Sequence, residues 1–232
     1  MNDASSISIS QNLNIIREQI SNAEKEFGRT PGSVKLLAVS KTRPVEDLQA
    51  AINAGQLLFG ENYLQDALPK IAALPGSLEW HFIGPIQSNK TQPIAQHFNW
   101  VHSIDRLKIA RRISEQRPPT LEAINICLQV NTSGEASKSG IQPEETLALA
   151  KEITRLPGIQ LRGLMTIPAS EDDFELQRQP FRILAELQQQ LVKEGLPLDT
   201  LSMGMTNDMR AAIAEGATIV RIGTALFGAR QQ

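Results

Sequence analysis

Leu36-Leu37-Ala38-Val39-Ser40-Lys41 is a short apolar run that ends on a lysine. Short apolar runs bounded by turn residues read as buried strands. Thr42-Arg43-Pro44 follows directly, and Pro44 suits the first position of a helix. Lys41 therefore stands where a strand passes into a loop. In α/β proteins that strand end is where binding sites are assembled. Lysines are mostly exposed, so Lys41 acquires chemical meaning only if the rest of the chain supplies partners for it.

Working outward, the same strand-then-helix unit repeats along the chain. Upstream, Leu13, Ile16, Ile20 and Ala23 recur at helical spacing and predict a helix over 12–27, ended by Gly28 before a Pro31-Gly32 turn. Downstream, strands are predicted at 57–62, 79–84, 100–104, 124–130, 161–167, 200–204 and 219–224. Helices are predicted between them at 45–54, 63–74, 88 onward, 105–116, 143–156, 174–194 and 208–215. Asp105 is placed to cap one of these helices, and Pro143 to open another.

Eight strands alternating with helices in 232 residues predict an α/β fold, a closed (β/α)8 TIM barrel, over a doubly wound open sheet. No Gly-x-Gly-x-x-Gly turn follows the first strand, which also favours the barrel. Only residues 225–232 follow the last strand, so the additional N-terminal helix is expected to cover that side. No linker, repeat or composition shift divides the chain, which reads as one domain over 1–232.

Composition narrows the function classes. A net charge of −2 gives no electrostatic reason to expect nucleic acid or an anionic membrane as partner. The single cysteine, Cys127, excludes an internal disulfide and fits a reducing compartment. Its strand-like surroundings make it a small buried hydrophobe. The start, residues 1–10, is polar and serine-rich, unlike a signal peptide, and no apolar run is long enough to cross a bilayer. A cytoplasmic protein is expected, and no metal site is read from the residues.

The last third supplies what a reactive lysine needs. In barrels, phosphate groups are commonly held by the loops after strands seven and eight. Here those loops read Ser202-Met203-Gly204-Met205-Thr206-Asn207-Asp208 and Arg221-Ile222-Gly223-Thr224. Ser202 and Thr224 offer hydroxyl donors, and Gly204 and Gly223 allow close backbone approach. Arg221 shares a strand face with Ile219 and Gly223. If that face is the interior, its guanidinium requires partners. The alternative is that it faces the helices or pairs with Glu61. A lysine beside a phosphate site suggests a Schiff base with a phosphorylated carbonyl compound. That leaves a lysine aldolase acting on a sugar phosphate, or a protein that holds pyridoxal phosphate (PLP). His81, within Trp80-His81-Phe82, is either a proton-shuttling group or a hydrogen-bonded structural side chain.

These residues sit in longer stretches that resemble one family. LLAVSKT at 36–42, FGENY at 59–63, WHFIGPIQSNK at 80–90, NTSGEASKSG at 131–140, RGLMTIP at 162–168, LSMGMTNDM at 201–209 and VRIGTALFGAR at 220–230 are similar to the pyridoxal phosphate homeostasis proteins, also called the proline synthase co-transcribed family. Thr206-Asn207 stands where many relatives have Ser-Asp.

The resemblance implies a barrel like the N-terminal domain of alanine racemase, with PLP as an imine on Lys41. It implies Arg221 at the pyridine nitrogen and Ser202, Gly223 and Thr224 at the phosphate. Asn62 and Met165 would line the pocket. His81, Met203 and the Ser137-Lys138-Ser139-Gly140 loop are further features of the resemblance. The implied role is non-catalytic PLP binding in vitamin B6 and amino-acid homeostasis, with no catalytic residue. PLP-dependent apoenzymes are left open as recipients, and a monomer is expected.

The competing functions are a PLP-dependent amino-acid racemase and a phosphate-sugar lyase that uses Lys41 directly. Racemisation needs bases on both faces of the substrate carbon. In alanine racemase one is a tyrosine from a partner's second domain. The chain ends at Gln232 and its only tyrosine is Tyr63, so efficient catalysis is not expected.

Overall fold

The computed structural model describes residues 8–135 and 138–228. Most of the serine-rich start, Ser137 of the polar loop, and Ala229-Arg230 of the last quoted stretch lie outside the described residues.

Eight parallel strands close into a barrel: β1 (Lys35–Val39), β2 (Leu58–Glu61), β3 (Glu79–Phe82), β4 (Trp100–Ile104), β5 (Ile124–Gln129), β6 (Ile159–Met165), β7 (Thr200–Ser202) and β8 (Ile219–Ile222). Each strand pairs with the next, and β8 returns to β1 with Arg221 opposite Leu37. The (β/α)8 expectation holds. The connecting helices are α2 (Val45–Asn53), α3 (Leu64–Ala73), α4 (Thr91–His97), α5 (Leu107–Gln116), α6 (Thr146–Ile153), α7 (Phe174–Lys193) and α8 (Met209–Ala214). They cover the outer face because their buried residues recur at helical spacing, as at Phe181, Leu184, Leu187 and Leu191 of α7.

Ahead of β1, α1 (Ile9–Glu26) begins with a capping box, in which Ser8 and Gln11 satisfy each other's backbone N–H groups. It buries Leu13, Ile16, Ile20 and Ala23. Among the described residues after β8 the chain makes one short helix, α9 (Thr224–Phe227), and α1 packs over α8, α9 and α2. Asn12 secures this packing through a 2.9 Å hydrogen bond to the Leu226 carbonyl. The N-terminal helix thus covers the closing side of the barrel, as its position predicted.

Three local readings change. Asp105 does not cap α5; the cap position is Arg106, with no side-chain cap bond, and Asp105 instead accepts from the Arg106 guanidinium. Pro44 sits one residue before α2 rather than inside it, and Pro143 opens a separate 3-10 turn before α6. Both prolines have a fixed φ that suits the entry to a helical turn.

Packing is tightest where strands meet without side chains between them. A Cβ on Gly163 of β6 would lie 1.8 Å from the Thr200 carbonyl oxygen. A Cβ on Gly84 would lie 2.2 Å from the Asn62 carbonyl oxygen, at the mouth of the barrel. The main apolar cluster fills the shell between strands and helices. A separate small cluster, Trp100, Cys127 and Met165, lies apart from it.

Candidate functional site

Val39 ends β1, and Ser40 begins a tight turn closed by a 3.1 Å bond from the Arg43 N–H to the Ser40 carbonyl. Lys41 and Thr42 are its two central residues. Thr42 has φ of 62°, in the left-handed region that β-branched residues rarely enter. Such strain costs about 1–3 kcal/mol and persists only where surrounding contacts impose it. Those contacts are visible at Ser40. Its N–H donates to the Gly60 carbonyl at 3.0 Å, and its own carbonyl accepts from Lys70 Nζ at 2.7 Å. Lys70, from α3, also pairs with Glu61 Oε1 at 2.7 Å, and the Ser40 hydroxyl donates to that same oxygen at 2.7 Å. A buried ion pair thereby fixes the turn that presents Lys41.

Lys41 opens into a cavity of about 640 Å³ at the C-terminal ends of the strands. Asn62, Arg221, Gly223 and Thr224 are in the same wall. Its size falls within the usual range for small-molecule pockets, roughly 300–1,000 Å³. Ile167, Leu176 and Met205 form an apolar lip, each more than a third exposed.

Arg221 forms the floor. Its Nη1 donates to the Ser202 carbonyl at 2.7 Å and to Ser202 Oγ at 2.8 Å, and its Nη2 donates to the Thr166 carbonyl at 2.8 Å. Arg221 therefore faces the interior, and Glu61 faces the helices with Lys70. Burial pulls its pKa down to about 10, which still leaves it charged at neutral pH. These bonds use three of the five N–H groups of an arginine. Asn62 Oδ1 is buried with no hydrogen-bond partner among the described residues. A Cβ on Gly223 would crowd the Val39 carbonyl oxygen at 3.3 Å, so glycine keeps this part of the rim low.

Five of the nine sequence-predicted site residues, Lys41, Asn62, Arg221, Gly223 and Thr224, thus line one cavity. The other four do not. His81, Met165, Ser202 and Met203 are fully buried and outside the wall. Met165 packs with Trp100 and Cys127. Met203 points outward into the apolar shell, because it alternates with the inward-facing Ser202. The Ser202 hydroxyl is engaged by Arg221 and by His102 Nδ1 at 2.7 Å. It is therefore not the free donor at the rim that its sequence position suggested. His81 bonds His102 and Glu79 inside the barrel. Burial raises the Cys127 thiol to about 12, so it stays protonated and unreactive.

Sequence reasoning missed other wall residues, among them Ile83, Glu171 and Asp208. It also missed Lys70, whose place on α3 gave no sign that it reached back beneath the β1 turn. Lys138, from the polar loop, does line the cavity. That loop is anchored where Ile141 pairs back on Val130.

The family model described as "Alanine racemase, N-terminal domain" matches residues 11–231. A pyridoxal phosphate homeostasis protein of Vibrio cholerae is 56% identical over 228 residues, covering 96% of this chain and 97% of its own. Its namesake in Pseudomonas aeruginosa is 57% identical over 223 residues, covering 96% of each. The chain belongs to the pyridoxal phosphate homeostasis protein family.

A solved structure, PipY of Synechococcus elongatus with PLP bound, is 37% identical with a TM-score of 0.78, covering 95% of this chain and 100% of that one. The same protein without PLP aligns with a TM-score of 0.82. The family match runs across every strand from β1 to β8. Among the described residues no helix is long and apolar enough to cross a membrane, and no cluster of three metal-ligating side chains is present.

Proposed function

We propose that this chain is a single-domain, cytoplasmic PLP-binding homeostasis protein that holds the cofactor without catalysing a reaction on a substrate. The observation that carries the reading is the convergence of the Lys41 amine and the Arg221 guanidinium on one cavity. The residues present fit the group. Arg221 has N–H groups to spare for the ring nitrogen, Asn62 Oδ1 is a buried acceptor awaiting a donor, and Gly223 with Thr224 offers a low rim with a hydroxyl for the phosphate. The relatives' names and PLP-bound PipY support the same ligand.

In this reading Lys41 Nζ condenses with the aldehyde as an imine, releasing water, and its pinned turn keeps the amine aimed into the cavity. Arg221 donates to the ring nitrogen but does not readily give up its proton. When bound, PLP supplies an electrophilic carbon and an electron-accepting ring, the second weakened by an unprotonated nitrogen. A racemase would need a second acid–base group opposite Lys41. Tyr63 is exposed and absent from the described cavity wall, which favours storage or delivery over turnover. The recipient would be a PLP-dependent apoenzyme, and the working unit a monomer.

The test is an absorbance spectrum of protein loaded with PLP, followed by borohydride reduction and peptide mapping. The label is expected on Lys41, and Lys41→Ala should lose the imine band. A surviving band with the label on Lys138, the other lysine of the cavity wall, would overturn the assignment. Loaded protein in deuterated water with L-amino acids decides the enzyme question. Steady α-proton exchange on the order of 1 per second or faster would make it an enzyme.

A further inference from the structure

The inside of a TIM barrel is usually packed with branched aliphatic side chains. Here a line of polar side chains crosses it from end to end. Arg221 Nη1 lies 2.8 Å from Ser202 Oγ. Ser202 Oγ lies 2.7 Å from His102 Nδ1, and His102 Nε2 lies 2.8 Å from His81 Nδ1. His81 Nε2 lies 3.0 Å from Glu79 Oε1. Arg221 is in the cavity wall at the C-terminal rim, whereas Glu79 opens β3 at the opposite rim, its side chain 36% exposed. His81, His102 and Ser202 are each at 0% exposure. Trp100 stacks on His81 at 5.5 Å with the rings within 6° of parallel, which fixes that imidazole's plane.

The protons along this line can be placed by counting. The His81 N–H bond holds the Glu79 carboxyl below its usual range, so its oxygen accepts. His81 Nε2 must then carry a hydrogen. Burial lowers the pKa of both histidines, His102 strongly, so each carries only one. His81 Nδ1 is therefore an acceptor, and His102 must donate from Nε2. That leaves His102 Nδ1 to accept the Ser202 O–H, and Ser202 Oγ to accept from Arg221. With two neutral histidines and an ionised Glu79, no other assignment satisfies every link.

We propose that Glu79, His81, His102 and Ser202 are positioning residues: a single directed line of hydrogen bonds that locks Arg221 and sets which of its N–H groups face the cavity. The line runs from a cation at one rim to an anion at the other, so the tautomer of His102 is dictated by Glu79 on the far side of the barrel. Its consequence for PLP rests on the proposed function above; the line itself does not.

The first measurement is made on the protein without PLP. Long-range 1H–15N spectra of 15N-histidine-labelled protein should show His81 and His102 as neutral Nε2–H tautomers at neutral pH. An Nδ1–H tautomer or an imidazolium at either position overturns the proposal. Glu79→Leu removes the terminal acceptor and should release the tautomers into a mixture. Glu79→Gln keeps an acceptor oxygen and should restore them. With one link undone, PLP binding should weaken roughly three- to ten-fold in Glu79→Leu and recover in Glu79→Gln. Should Glu79→Leu fail to fold, His102→Phe, which breaks the line at its centre, takes its place. Unchanged tautomers and affinity in both variants would reduce these residues to ordinary core. If the wild type does not bind PLP at all, the functional reading fails while the tautomer result still judges the line.

Discussion

Replacing Lys70 by methionine removes an ammonium group from a buried cluster directly beneath the Lys41 turn. Lys70 Nζ lies 2.7 Å from Glu61 Oε1 and 2.7 Å from the Ser40 carbonyl oxygen. Glu61 is fully buried, and its Oε2 has no partner among the described residues. Breaking one side of a buried ion pair costs about 3–5 kcal/mol, because the surviving charge has nothing to compensate it. A chain of this size loses roughly 2–4 °C in Tm per kcal/mol, so Lys70→Met should melt roughly 6–20 °C lower at neutral pH. Burial already raises the Glu61 pKa above 4.5, although Lys70 and Ser40 pull it down. A carboxyl with a raised folded-state pKa keeps its proton longer folded than unfolded. Its contribution is therefore most favourable below the unfolded value and is lost as pH rises through the folded value. Lys70→Met raises the folded value further, so its deficit should be largest near about pH 8 and shrink toward about pH 5. Urea denaturation of wild type, Lys70→Met, Glu61→Gln and the double variant, at both pH values, measures this as a cycle. The double variant should recover much of the loss, since no lone charge remains. A deficit below about 1 kcal/mol, as at an exposed pair, or one that does not shrink in acid, would refute the reasoning.

Two further outcomes are expected. Thr224→Ala should weaken PLP binding about ten-fold or more in fluorescence titration, since a charge-assisted hydrogen bond contributes roughly 1.5–3 kcal/mol; an unchanged Kd would remove Thr224 from the phosphate site. Gly163→Ala would set a methyl group 1.8 Å from the Thr200 carbonyl oxygen on the neighbouring strand, so β6 and β7 must separate. A loss of about 3 kcal/mol or more is expected in chemical denaturation.

Much of the fold was legible because each strand carries a compact apolar run and each helix an apolar face of different period. Leu13, Ile16, Ile20 and Ala23 are all buried on α1 as read, although the same face also buries Glu24, which periodicity did not name. The ends of elements were less legible. Asp105 has the chemistry of a cap, yet its neighbour Arg106 occupies the position and takes the carboxylate for itself. The turn after β1 hid its strain altogether, since nothing about a threonine suggests positive φ. The contacts that impose it arrive from Gly60 and from Lys70, distant in sequence.

The site was legible at its rim and illegible beneath it. Residues at strand ends announce themselves by position, and Lys41, Gly223 and Thr224 were found that way, whereas Asn62 came from the family resemblance. Below the rim the question becomes which face of each strand looks inward, and alternation alone gives two answers per strand. Arg221 illustrates how one answer propagates. Asn62 lines the cavity, so its neighbour Glu61 must point to the helices, where α3 supplies Lys70. Glu61 is thereby withdrawn as a partner for Arg221, which must find acceptors inside. Ser202 is the inward residue at the end of β7, and it can accept from Arg221 only by giving its own hydrogen elsewhere. His102 receives that hydrogen, His81 receives the next, and Glu79 ends the line. The histidine that looked like a site residue is therefore two hydrogen bonds removed from Ser202, and its link to the cavity passes wholly through Arg221.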